Sequence, residues 1–183
     1  VRKNPSRHAE FFVEMVRQAL TERYGDEAYT KGLNVHTTLL VTNQEAGFLA
    51  LKKGLELHDE RQGYRGPLGT IDLPAKIDDE WLEDSLQDLD PYEDLSPAVV
   101  LSIKSGAIEA YVKGTGPVVM MNEQVVYGGT DLTIGSELVT PLKNGALIYV
   151  RKTSKKDWVL SQLPIAEGAV ISIDADTGAI NAL

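Results

Sequence analysis

The sequence predicts an α+β fold in two parts. A helix–strand–helix segment and a closing β-hairpin form one subdomain, and a small antiparallel β-barrel is inserted between them. Three observations carry this. Apolar residues recur at helical spacing through residues 12–24 and 46–58. From 98 to 162 every pattern is a short strand bounded by turn residues, and 168–183 reads as strand, turn, strand. The expected domains are therefore 1–66 with 166–183, and 67–165, the latter carrying an acidic insertion at 70–95.

Residues 2–7 are polar and include Pro5, a lead-in. Phe12, Val16, Ala19, Leu20 and Arg23-Tyr24 follow the i, i+4, i+7, i+8 spacing of an amphipathic helix, with Gly25 as its stop. Leu33, Val35, Thr37 and Leu39 alternate with Asn34, His36 and Thr38, which predicts a short strand. Thr42 and Glu45 have the spacing of a capping box, so a second helix is expected from Thr42 through Ala46, Leu49, Ala50, Leu55 and His58 to near Gly63. Gly47 and Gly54 inside it each cost about 1 kcal/mol of helix propensity relative to Ala, which predicts close backbone packing at both.

The composition changes at Tyr64-Arg65-Gly66-Pro67. Strands are expected over 98–103, 107–113, 118–121, 124–127, 146–152 and 157–162. Their turns are Lys104-Ser105-Gly106, Gly114-Thr115-Gly116-Pro117, Gly128-Gly129 and Lys143-Asn144-Gly145. Strands this short and this evenly spaced make a small barrel or sandwich, and a five-stranded barrel of the OB type is the economical solution for that length. In the closing stretch Val170, Ser172 and Asp174 alternate with Ala169, Ile171 and Ile173. Asp176-Thr177-Gly178 then supply a turn, and Ala179 begins a second strand. The sequence stops within that apolar run, which predicts that the natural polypeptide continues.

Hydrophobic content of 43% and charged content of 25% lie in the ordinary range for a folded soluble domain. No apolar run is long enough to span a bilayer, and the absence of cysteine excludes disulfide and thiol chemistry. The net charge is −9, which opposes a duplex-binding surface. That charge is local. Nine acids lie from Asp78 to Asp94 with no Lys or Arg among them, so the remaining sequence is neutral on balance.

Candidate sites follow from these patterns. Asp88, Asp90 and Glu93 are hard oxygen donors, but the run lacks the glycine and spacing of a Ca²⁺ loop, so a solvated or partly disordered insertion is expected. Trp81, Leu82, Leu86, Leu89 and Tyr92 are interleaved with the acids. The i, i+4, i+7 spacing of Leu82, Leu86 and Leu89 predicts a short amphipathic helix docked on the barrel; alternatively, the five residues form a partner-binding face. His8, His36 and His58 lack metal-ligand spacing. Within the barrel, Tyr111, Tyr127, Tyr149 and Trp158 are the available stacking platforms for an oligosaccharide. A nucleic-acid partner is not expected, because the basic residues reduce to one small loop at Lys152, Lys155 and Lys156.

Five segments in order resemble a known family. They are Phe12-Val13-Glu14-Met15-Val16-Arg17 leading to Arg23-Tyr24-Gly25; Gly32-Leu33-Asn34-Val35-His36-Thr37-Thr38-Leu39; Gly63-Tyr64-Arg65-Gly66-Pro67; Pro97-Ala98-Val99-Val100; and Gly168-Ala169-Val170 through Asp176-Thr177-Gly178-Ala179-Ile180. Together they are similar to the class A penicillin-binding proteins, bifunctional enzymes of peptidoglycan synthesis. Leu40-Val41 depart from the family's Asp-Pro-like helix start. The resemblance implies a segment between the glycosyltransferase and transpeptidase domains of a periplasmic enzyme anchored in the inner membrane. Its implied partners are the other domains of the parent chain, a regulatory cell-envelope protein and peptidoglycan, with no cofactor. The family's transpeptidase motifs S-x-x-K and S-x-N are absent from this sequence. Lys104-Ser105-Gly106 matches K-[ST]-G but falls where a hairpin turn is expected. The fragment is thus expected to be a non-catalytic spacer and docking module, with glycan binding by the barrel as the alternative.

Overall fold

The computed structural model describes residues 8–104, 107–121, 125–127, 130–131 and 142–183. The elements, in order, are helices α1 (Glu10–Tyr24), α2 (Glu27–Thr30) and α3 (Val41–Gln62), strand β1 (Gly69–Thr70) and helix α4 (Asp79–Ser85). Strands β2 (Leu95–Lys104), β3 (Ala107–Val112), β4 (Gly116–Met121), β5 (Val126–Tyr127) and β6 (Thr130–Asp131) follow. The last four are β7 (Ala146–Lys152), β8 (Trp158–Ser161), β9 (Ser172–Ile173) and β10 (Ile180–Ala182). The chain divides into two units: residues up to Leu57 with Ala166–Leu183, and His58–Ile165. The first division falls inside α3, ahead of the composition change at Tyr64.

In the first unit α1 buries Phe12 and half-buries Val16, Leu20 and Tyr24, while Ala19 and Arg23 of the predicted stripe are exposed, and it ends before Gly25. α3 begins one residue before the predicted cap. The Leu40 carbonyl accepts the Asn43 and Gln44 N–H groups, so Thr42 lies within the first turn. Gly47 does mark a close approach, since a Cβ there would lie 3.3 Å from Val170 Cγ1 and 3.8 Å from Ala182 Cβ. Gly54 does not, because nothing lies within 4 Å of such a Cβ. The expected strand over residues 33–39 is also absent. That stretch is irregular, and Leu33 and Val35 are exposed. Its pairing is confined to its end, where Thr38 Oγ1 donates to the Ile180 carbonyl at 2.7 Å and Leu40 N–H to the Asn181 carbonyl at 3.0 Å. Alternation supplied two chemically distinct faces, but a strand also needs a ladder partner along its length. The closing hairpin is formed as expected: β9 pairs with β10, and Gly178 takes φ 71° in the turn. Buried Gln44 fastens it to α3 by donating to the Leu183 carbonyl and accepting the Leu183 N–H.

The second unit is an antiparallel sheet in the order β1-β7-β2-β3-β4, with β8 also on β7, and a separate antiparallel pair of β5 and β6. β4 and β5 both approach β8, so the open sheet curls toward itself without a hydrogen-bonded seam among the described residues. Its concave side buries Ala98, Val100, Ile108, Ala110, Val112, Met120, Ile148, Val150 and Leu160. On β2, Ala98, Val99 and Val100 are all fully buried, because successive residues point to opposite faces and both faces are covered. Unbroken apolar runs such as Ala98-Val99-Val100-Leu101 are the sequence mark of that situation. The turn expected at 114–117 is shorter and earlier, spanning 113–115 with Gly116 and Pro117 already in β4, and a turn at 144–145 leads into β7. Ser105, Gly106, Gln124, Gly128 and Gly129 lie outside the described residues. Lys104 and Ala107 are nevertheless direct partners across β2 and β3. Gly145 has no substitute: its φ is +83°, and an added Cβ would sit 2.0 Å from the Ile71 carbonyl oxygen.

Candidate functional site: the acidic segment and a buried carboxylate

The acidic segment is an ordered layer on the convex side of the sheet. Asp78 Oδ1 accepts the Trp81 N–H at 3.0 Å and caps α4, and Asp79 and Glu80 occupy its first turn. Leu82 and Leu86, one turn apart, are 3% and 0% exposed and pack with Val99 and Tyr111. Half-buried Trp81, Leu89, Ile71, Leu73, Leu101 and Leu147 surround them. Burying two leucines stabilises this docking by about 2 kcal/mol each. Polar contacts fix its register. The Glu83 carboxylate accepts the Tyr111 hydroxyl at 3.0 Å and the Gly114 N–H at 2.8 Å. Lys113 Nζ donates to the Leu89 carbonyl at 2.7 Å and the Gln87 carbonyl at 3.2 Å. The Tyr149 hydroxyl donates to the Asp90 carbonyl at 3.1 Å. Burial, with the Glu83 hydrogen bond and charge added, pushes the Tyr111 phenol up to about 12.

This placement corrects two expectations. Leu82 and Leu86 cannot form a partner-binding face, because both are buried against the sheet, Leu82 on α4 and Leu86 at its C-terminal cap; Trp81 and Leu89 are half-buried beside them, and only Tyr92, 55% exposed, faces solvent. The run is therefore neither solvated nor disordered on its inner side. Its outer side is acidic: Asp78, Asp79, Glu80, Asp84, Asp88 and Asp90 are exposed. The expected stacking platform is not assembled either. Tyr111, Tyr127 and Tyr149 are buried, and Trp158 is half-buried with Lys152 Nζ 5.5 Å from its ring centre. Tyr127 fills the concave core, whereas Tyr111 packs under Leu82 and Leu86 and Tyr149 bonds the Asp90 carbonyl, so the acidic layer takes up both.

Sequence reasoning missed a buried polar cluster around Asp59, on the last turns of α3, which is 1% exposed. Its Oδ1 accepts Arg65 Nη1, and its Oδ2 accepts the Tyr127 hydroxyl and Gln162 Nε2, both at 2.7 Å. Gln162 also donates to the Gly63 carbonyl at 3.0 Å, and its Oε1 accepts the Arg65 N–H at 3.0 Å. Arg65 Nη2 reaches the Leu163 carbonyl, and the Tyr64 and Tyr127 rings pack with centroids 5.9 Å apart. Burial alone would raise the Asp59 carboxyl, but hydrogen bonds from Tyr127, Arg65 and Gln162 and the guanidinium charge outweigh it and hold it below the usual aspartate value. Burial and the same carboxylate push the Tyr127 phenol up. The available signal was Leu51, Leu55 and Asp59 in one helical stripe, a carboxylate where the pattern asks for another leucine. Among the described residues no His, Asp and Glu cluster is arranged to hold a metal ion, and no helix is long and apolar enough to cross a membrane.

Comparison with known proteins agrees on one family. A family model described as penicillin-binding protein OB-like domain matches residues 64–166. Penicillin-binding protein 1A of Neisseria lactamica is 34% identical over 175 residues, covering 94% of this chain and 22% of that protein. Penicillin-binding protein 1A of Haemophilus influenzae is 32% identical over 178 residues, covering 96% and 20%. A crystal structure of penicillin-binding protein 1A from Haemophilus influenzae superposes with a TM-score of 0.77 at 30% identity, covering 98% of this chain and 26% of that one. The chain thus spans about a fifth of the length of the curated relatives it matches.

Proposed function

This chain belongs to the class A penicillin-binding proteins, and on that premise we propose that it is the non-catalytic spacer and docking module of a bifunctional peptidoglycan synthase. In this reading the whole protein is a peptidoglycan glycosyltransferase and DD-transpeptidase, anchored in the inner membrane and working in the periplasm, and this segment separates its two catalytic domains. The observation that carries the docking role is the two-sided acidic segment. Its apolar side is consumed by the sheet, while six exposed carboxylates, from Asp78 to Asp90, and Tyr92 remain on a surface held in fixed register. A face with charge outside and core beneath suits a regulatory cell-envelope protein with a basic contact surface. The absence of S-x-x-K and S-x-N supports the non-catalytic part. The alternative, direct glycan binding by the barrel, is weakened by the burial of Tyr111, Tyr127 and Tyr149.

Two measurements test this. Fluorescent penicillin is expected to label the whole protein and leave the 183-residue chain unlabelled; covalent labelling of the chain would overturn the non-catalytic reading. A photo-crosslinking residue at position 84 or 92 of the whole protein in cells is expected to trap one defined envelope protein, and neutralising Asp79, Glu80, Asp84 and Asp88 should abolish the adduct while both enzymatic activities persist. An adduct indifferent to those charges would contradict the docking role.

A further inference from the structure

The insertion's two ends meet on one strand. β2 occupies one edge of β7, with Val99 opposite Leu147 and Pro97 opposite Tyr149. On the other edge, β1 places Gly69 opposite Leu147, and β8 places Ser161 opposite Tyr149. The incoming and outgoing segments therefore lie end to end along the same edge, and that edge is interrupted between them. Gln162, the first residue past β8, bridges the interruption by bonding both the Arg65 N–H and the Gly63 carbonyl. Asp59 lies behind it and receives Gln162, Tyr127 and Arg65 at once. Arg65 in turn holds the Leu163 carbonyl on the outgoing segment.

We infer that Asp59 is the closure residue of the inserted domain, whose ionised carboxylate draws the incoming and outgoing segments together on the β7 edge. The structural domain then begins at His58 on the last turns of α3, ahead of residue 64, where the family likeness starts. A buried charge is tolerable only when fully partnered, so the same carboxylate rejects any arrangement in which Arg65, Tyr127 and Gln162 do not converge. Those three residues are far apart in sequence, and their convergence on one side chain makes closure all-or-none.

The test is hydrogen exchange on the 183-residue chain, read amide by amide. Asp59→Asn preserves shape and removes the charge. It should speed exchange about tenfold or more in residues 63–71 and 158–163, including the Leu68 and Ile71 amides bonded to β7 and its preceding turn, with a smaller change in β2 and β3. Tyr127→Phe, a milder loss, should affect the same two segments less. Asp59→Asn/Arg65→Gln removes both charges and should exchange more slowly there than Asp59→Asn alone, because no guanidinium is left uncompensated. Wild-type exchange in both segments of Asp59→Asn, or equal acceleration across the whole sheet with no recovery in the double variant, would overturn the assignment. If Asp59→Asn fails to fold, Tyr127→Phe decides by the same criterion.

Discussion

One carboxylate in the interior and nine along a single surface segment divide the structural work of this domain very unevenly. Asp59 stands alone in sequence, is 1% exposed and accepts hydrogen bonds from three side chains. The run from Asp78 to Asp94 accounts for the whole net charge, yet of its acids only Glu83 is drawn half into the interior. Charge density along a sequence marks a surface. Structural consequence follows desolvation, which makes each interaction of a buried charge stronger and its loss more costly.

That contrast can be broken by substitution, and both tryptophans, Trp81 and Trp158, lie in the second unit, so their fluorescence follows its unfolding. The largest effect is expected for Asp59→Ala, which leaves a guanidinium, a phenol and an amide without their partner and should cost about 3–5 kcal/mol in urea unfolding. Leu86→Ala should follow at about 3 kcal/mol, because a fully buried side chain is replaced by a cavity beneath the acids. Glu83→Gln is intermediate at about 1–2 kcal/mol, since its amide can still accept from Tyr111 or Gly114 but without the charge. Asp84→Asn and Asp88→Asn, both exposed, should each stay within about 0.5 kcal/mol. A loss at these surface positions as large as that at Asp59 would erase the distinction.

Acid titration sharpens it. The Asp59 carboxyl lies below its usual value in the folded state, so folding favours the ionised form. Its contribution is present above the unfolded aspartate value and is lost as pH falls through the lower folded value. Stability of the second unit should therefore decline on acidification below the usual aspartate range. In Asp59→Asn that component of the decline should vanish, measured as the pH dependence of the urea midpoint.

Much of the fold was legible in the sequence, for reasons visible in particular elements. β7 was expected over 146–152 and is found over the same residues, because an unbroken apolar run between turn signals has few other solutions. Gly25 and Gly178 marked a helix end and a turn by the same logic. What failed depended on partners that local pattern does not contain. Residues 33–39 have strand chemistry but are bonded only at their end, and Gly54 has the composition of a close contact without a neighbour. Leu82 and Leu86 were legible as one helical face, but not whether sheet or partner would cover it. Tyr111, Tyr127 and Tyr149 carried no mark of being covered, and Asp59 is explained only by Arg65, Tyr127 and Gln162, the last more than a hundred residues away.

The ordered docking of the acidic segment is tested most directly by amide hydrogen exchange across residues 79–95. Docking through Leu82 and Leu86 predicts that the Leu82, Leu86 and Leu89 amides, bonded to the Asp78, Glu83 and Leu86 carbonyls, are protected together, and that Leu86→Ala releases them while β2 and β3 stay protected. Complete exchange of the wild-type segment at the earliest time point would instead describe a solvated acidic loop and contradict the account.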